Sequence, residues 1–136
     1  MSERNANWIF NTFLSPGTGA AIVQDWIDDL SEEAKQELET TLDYLQILPL
    51  DKWSKPEGKV LKEGLSEIRF DADQAPHRIY GFPWPTGALY RWNYTMLHAH
   101  NKAKGRSQQD QIALAKKRKK QLERKEANYA ILRFQT

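Results

Sequence analysis

The period of the apolar positions changes several times along this chain, and each change predicts an element. Asn7 to Phe13 (NWIFNTF) is aromatic and apolar and predicts a first strand. Ser15 to Gly19 (SPGTG) breaks it, because proline and two glycines oppose regular structure. From Ala20 to Leu30, the positions Ile22, Val23, Trp26, Ile27 and Leu30 fall on one helical stripe. Asp28, Asp29 and Ser31 interrupt that helix, and Ser31 is placed to cap a second one. Ala34, Leu38, Leu42 and Leu45 carry the second stripe to about Leu48, where Pro49 stops it. Glu32, Glu33, Glu37 and Glu39 lie on its other face and read as solvated helix surface.

LDKWSKPEGK reads as a loop, after which the pattern turns strand-like. Three runs, Leu65–Phe70, Arg78–Trp84 and Leu89–His100, are joined by DADQAP and PTG. Pro85 to Gly87 is short enough for a hairpin turn, so the three strands predict an antiparallel meander. Asn101 to Arg106 is polar, and Ser107 with Asp110 three residues on resembles a capping box. The last helix is expected from Gln108 to Asn128 on a thin stripe of Ile112, Ala115 and Leu122, continued by Tyr129. Ile131 to Phe134 is left as an edge strand or a tail. The order β-α-α-β-β-β-α gives one α+β domain over 1–136, with a meander at 59–106 and a basic helix at 107–128. Helices on one face of a small antiparallel sheet would leave the other face open.

Alternation assigns the faces of the strands. Ile68 and Phe70 share one face, and Leu65, Glu67 and Arg69 the other. Arg78, Tyr80 and Phe82 lie together, opposite Ile79. In the third strand Tyr90, Trp92, Tyr94, Met96, His98 and His100 would share a side. Ile79 and Phe82 cannot both face inward without a bulge or a twist.

Charge adds an asymmetry to this picture. Residues 1–51 hold 2 basic and 10 acidic side chains, whereas 52–136 hold 18 and 8. Within 102–125 there are 10 basic residues against Asp110 and Glu123, which favours a polyanion as partner for that part. The absence of cysteine removes disulfides, thiolate chemistry and Cys-based zinc sites. No apolar run is long enough to span a bilayer, and MSERNANW lacks the regions of a signal peptide, so a cytoplasmic location without membrane contact is expected. His98 and His100 are spaced as a metal pair might be, but no third ligand is evident and they read as hydrogen-bonded or solvated, with no metal site. Arg69 reads as a partner for Glu67 or for a helix carboxylate. Arg78 is open between a surface residue and a phosphate ligand.

These strands and the helix after them resemble the RelE/ParE toxin superfamily, closest to its phage-type HigB (Gp49-like) branch. The matching positions are Lys59, Leu61, Gly64, Leu65, Glu67, Ile68 and Arg69, then Arg78, Ile79, Tyr80 and Phe82, then Lys102 and Lys104, then Ile112, Ala115 and Arg118. The resemblance implies a RelE-like fold and a toxin of a type II toxin–antitoxin system. Its activity would be a ribosome-dependent messenger-RNA endoribonuclease working without a metal or other cofactor. By this likeness Arg78 matches the phosphate-stabilising arginine, Lys102 and Lys104 the lysines after the last strand, and Tyr129 the tyrosine near the end of the last helix. The paired lysines, threonine and proline usual in this branch are replaced by NKAKGRSQQD, and His100 is a candidate for acid–base work beside the split lysines. Arg69, Arg106, Lys116, Lys117, Arg118, Lys119 and Lys120 are candidates for RNA contact, the last five with ribosomal RNA. The implied partners are messenger RNA on the ribosome and a cognate antitoxin, acidic or laying a helix or strand over the basic face. The alternative is a non-catalytic protein of the same fold that binds nucleic acid or a protein target, as the gyrase-directed ParE branch does.

Overall fold

A computed structural model describes residues 7–102 and 107–134. Strand β1 (Ile9–Leu14) opens the chain and is followed by helices α1 (Ile22–Asp28) and α2 (Glu32–Gln46). The Ser31 hydroxyl accepts from the Ala34 backbone N–H and caps α2, as its sequence position predicted. Strands β2 (Gly58–Val60), β3 (Ser66–Ala72), β4 (Ala75–Pro83) and β5 (Asn93–Asn101) come next, then α3 (Gln108–Glu123) and β6 (Asn128–Ile131). Ser107 caps α3 by accepting from the Asp110 N–H. The result is an α+β domain around one six-stranded sheet, ordered β2-β3-β4-β5-β1-β6. All neighbours are antiparallel except β1 and β5. Among the described residues, no helix is long and apolar enough to cross a membrane.

The sheet is covered on both faces, contrary to the open face expected. On one side α1 and α2 bring Val23, Ile27, Ala34, Leu38, Leu42 and Leu45 onto Phe10, Ile68, Phe70, Ile79, Tyr94 and Met96. Each valine, leucine, isoleucine, phenylalanine or methionine side chain so removed from water contributes about 2 kcal/mol. On the other side α3 sets Ala115 and Leu122 against Phe13, Leu65, Tyr80, Phe82 and Leu97. Helix α3 covers this face only in part, because its apolar stripe is thin.

Four further expectations change. The stretch read as a loop contains β2, an edge strand pairing Gly58 with Ile68 and Val60 with Ser66. Leu89 does not begin β5; Ala88–Tyr90 form a 3-10 turn, and β4 joins β5 through a longer connection than a tight hairpin. Helix α3 stops at Glu123, where Lys125 takes a positive φ of 61° and turns the chain into β6. The phase of β5 changes midway: Tyr80 lies opposite His98, but the next residue, Gly81, lies opposite Met96. Leu97 is the extra residue of a β-bulge. Tyr94 and Met96 therefore enter the core beneath α1 and α2, whereas Leu97 enters the core beneath α3 and His98 and His100 follow on that side. Glycine is required at the bulge, because a Cβ on Gly81 would lie 2.5 Å from the Thr95 carbonyl oxygen and 2.6 Å from the Tyr94 ring.

Candidate functional site

Two cross-strand rows emerge on the α3 side of β3, β4 and β5. In the first, Glu67 faces Tyr80 and Tyr80 faces His98. In the second, Arg69 faces Arg78 and Arg78 faces His100. Lys102 continues this face beyond His100, with its backbone N–H donating to the Pro76 carbonyl at 2.8 Å. The first row lies under the start of α3, which reaches it through Gln108 and Gln111.

Glu67 is fully buried, and both of its oxygens are engaged. Arg69 donates to Oε1 at 2.7 Å and the Gln108 amide donates to Oε2 at 3.1 Å. Arg69 therefore neutralises a buried carboxylate, as its sequence context suggested. His98 is held by α3: the Arg118 guanidinium donates to Nδ1 at 3.4 Å, and Nε2 bonds the Gln111 carbonyl. Arg118 also donates to the Leu97 carbonyl at 2.9 Å, across the bulge.

The second row is less satisfied. Arg78 is only 5% exposed, and one terminal nitrogen donates to the His77 carbonyl at 2.9 Å. Burial and the neighbouring Arg69 both push its guanidinium below its ordinary range. His100 bonds the Tyr80 hydroxyl through Nε2 at 3.0 Å, with the two rings stacked 5.5 Å apart. Burial, reinforced by His98, lowers His100 to about 4, so its imidazole is neutral at pH 7. Burial and then Glu67 raise Tyr80 to about 12, keeping the phenol protonated. Among the described residues, Arg78 Nε and His100 Nδ1 are buried side-chain nitrogens without a hydrogen-bond partner. They belong to register partners on one face. The arrangement is suited to an anion, with three cationic side chains, Arg69, Arg78 and Lys102, around two buried nitrogens without partners.

The structure thus brings Arg69, Arg78, His100 and Lys102 together, with Lys102 exposed. Lys104 and Arg106 lie outside the described residues. Tyr129 is not at a helix end and not in this group. It sits on β6 opposite Phe13, three strands from β4, or about 14 Å at ordinary strand spacing. The run Lys116 to Lys120 is not one solvated face. Lys116 pairs with Glu63, Arg118 turns inward, and Lys119 pairs with Glu123 at 3.0 Å and lies over the Phe82 ring. Lys117 and Lys120 are exposed. Sequence reasoning missed Gln108 and Gln111, which hold Glu67 and His98. Their signal was positional, as the first turn of a helix capped by Ser107.

A family model described as phage-derived protein Gp49-like matches residues 25–120, from α1 through the greater part of α3. No curated protein matches the chain at a significant level.

Proposed function

Because this chain belongs to the phage-derived Gp49-like family, a RelE/HigB-like toxin family, we propose that it is the toxin of a toxin–antitoxin pair and cleaves messenger RNA on the ribosome. The observation that carries this reading is the second row, in which Arg78 and His100 face each other across β4 and β5 with buried, unpartnered nitrogens. In the proposed reaction the ribose 2′-oxygen attacks the adjacent phosphorus and the bond to the 5′-oxygen breaks. The 2′-hydroxyl proton is lost, the leaving 5′-oxygen gains one, and a cyclic phosphate and a 5′-hydroxyl result. Negative charge gathers on the phosphate oxygens in the transition state, and donors fixed in advance stabilise it most. Arg78 supplies the fixed positive charge. Lys102, exposed beside it, supplies a mobile cation close to the leaving oxygen. His100, neutral at pH 7, serves as a donor and not as a cation. Exposed Lys117 and Lys120 on α3 would meet ribosomal RNA, where phosphate neutralisation gives sequence-independent affinity.

For the antitoxin, the groove between β2 and α3 is suited to an acidic amphipathic segment. This groove of about 720 Å3 is floored by Val60, Leu61, Ile112 and Ala113 and flanked by Lys59 and Lys116. Among the described residues, strand β2 also offers an unpaired sheet edge beside it.

The test sets two targets side by side. The protein is added to a purified translation system and, separately, to a gyrase supercoiling reaction. The reading expects loss of full-length messenger RNA only where ribosomes translate it, with supercoiling unchanged. Blocked supercoiling with intact messenger RNA would overturn it in favour of the gyrase-directed alternative.

A further inference from the structure

The two buried nitrogens without partners allow a further step, which rests on the interferase reading only for the identity of the phosphate bound. We infer that Tyr80 is a positioning residue whose hydroxyl donates to His100 Nε2, fixing the imidazole proton on Nδ1, so that His100 Nδ1–H and Arg78 Nε–H together receive one phosphoryl oxyanion.

A neutral imidazole carries one N–H, and its position follows from what the other nitrogen accepts. Tyr80 is fully buried, and its hydroxyl lies 3.0 Å from His100 Nε2. The carboxylate nearest in the row, Glu67, already accepts from Arg69 and Gln108, one at each oxygen. Glu67 and Gln108 also act on the Tyr80 hydroxyl; with the phenol donating along its 3.0 Å contact to His100 Nε2, the imidazole proton falls on Nδ1. His98 has the opposite tautomer by the same logic. Its Nδ1 accepts from Arg118, so the proton lies on Nε2 and is donated to the Gln111 carbonyl. Two stacked histidines 6.0 Å apart thus carry their protons on different nitrogens, and each serves as a control for the other.

With the proton on Nδ1, both unpartnered atoms of the second row become donors lacking an acceptor. They belong to directly opposed residues on adjacent strands, each more than nine-tenths buried. Leaving two N–H groups buried without acceptors is unfavourable, and an oxygen bearing several lone pairs relieves both together. A tetrahedral phosphoryl group supplies such oxygens, and its charge is matched by Arg78. The neutral donor from His100 adds directional recognition without a further cation beside Arg69 and Arg78.

The experiment is two-bond nitrogen–proton correlation on the full chain labelled with 15N-histidine at pH 7, with inorganic phosphate as the probe. The wild type is expected to show His100 as the Nδ1–H tautomer, His98 as Nε2–H, and a phosphate-dependent shift at His100 Nδ1. Tyr80→Phe, judged folded by its dispersed amide spectrum, should move His100 toward Nε2–H. It should also weaken phosphate binding by roughly fivefold, the worth of one neutral hydrogen bond. His100→Asn, which removes the imidazole, should weaken phosphate binding at least as much and make a further Tyr80→Phe substitution silent. An Nε2–H tautomer in wild-type His100 would overturn the inference even if Tyr80→Phe failed to fold. So would a correct tautomer with no phosphate response. These readouts do not involve RNA cleavage, so a correct tautomer and phosphate response without messenger-RNA cutting would sink the interferase reading alone.

Discussion

Acid should destabilise this protein through His100, and the size of the effect follows from its burial. Tyr80, His98, Arg78, Glu67 and Lys102 are the charged and titratable groups around it, and burial outweighs Glu67 in lowering it from 6.5 to about 4. Because the folded value lies below the unfolded one, the unfolded chain binds a proton between these pH values that the folded chain does not. Stability must then fall as pH drops through this window, and the loss levels off below it. The full drop corresponds to about 3 kcal/mol, of which about 2 kcal/mol is already lost at pH 5. Surface carboxylates titrate in the same range, so the contribution is isolated as a difference between wild type and His100→Asn, which cannot take the proton. Urea unfolding at pH 7, 6, 5 and 4 would measure it. Relative to the variant, the wild-type midpoint should fall by roughly 1 M between pH 7 and pH 5. A difference that stays constant within about 0.5 kcal/mol over this range would refute the argument that His100 is buried and neutral.

Three other outcomes are expected. Arg69→Ala leaves the buried Glu67 carboxylate with Gln108 alone and should cost about 3 kcal/mol in chemical denaturation, with Glu67→Gln in the same chain restoring much of it. Gly81→Ala drives a methyl into the Thr95 carbonyl and the Tyr94 ring and should cost about 3 kcal/mol or more, read as a thermal midpoint. Replacing exposed Lys117 and Lys120 by alanine should reduce the slope of log affinity for ribosomal RNA against log salt by about 2, measured by filter binding, and leave stability unchanged.

Strong local signals carried most of the fold into the sequence. The leucine stripe of α2 and the Ser31 and Ser107 caps report elements fixed by their own residues, and all are where the pattern put them. The alternation of Glu67 with Arg69 and of Arg78 with Tyr80 likewise put each pair on one face of its own strand, and the register of β3 with β4 joins the two pairs. What could not be read is set by partners distant in sequence. β2 is three residues long and exists because β3 offers it an edge. β6 is specified by β1, more than a hundred residues earlier, so Tyr129 read as helical and remote only in sequence. The Leu97 bulge is invisible in a run of alternating residues, because its cause is the packing of β4 at Gly81. That one inserted residue turns His98 and His100 toward α3, and without it the second row would hold two arginines and no histidine.

The proposed role of Arg78 is to hold the phosphate of a messenger RNA engaged by the ribosome. Its most direct measurement is primer-extension mapping of 5′ ends on a defined messenger RNA, in a purified translation system with and without ribosomes. Wild type and Arg78→Ala are compared at equal folded concentration. Cuts within codons that require both ribosomes and Arg78 are expected, with the variant reduced by about a hundredfold or more, as for loss of one transition-state donor. Cuts of equal strength from Arg78→Ala, or no cuts from a folded wild type on translating ribosomes, would contradict it.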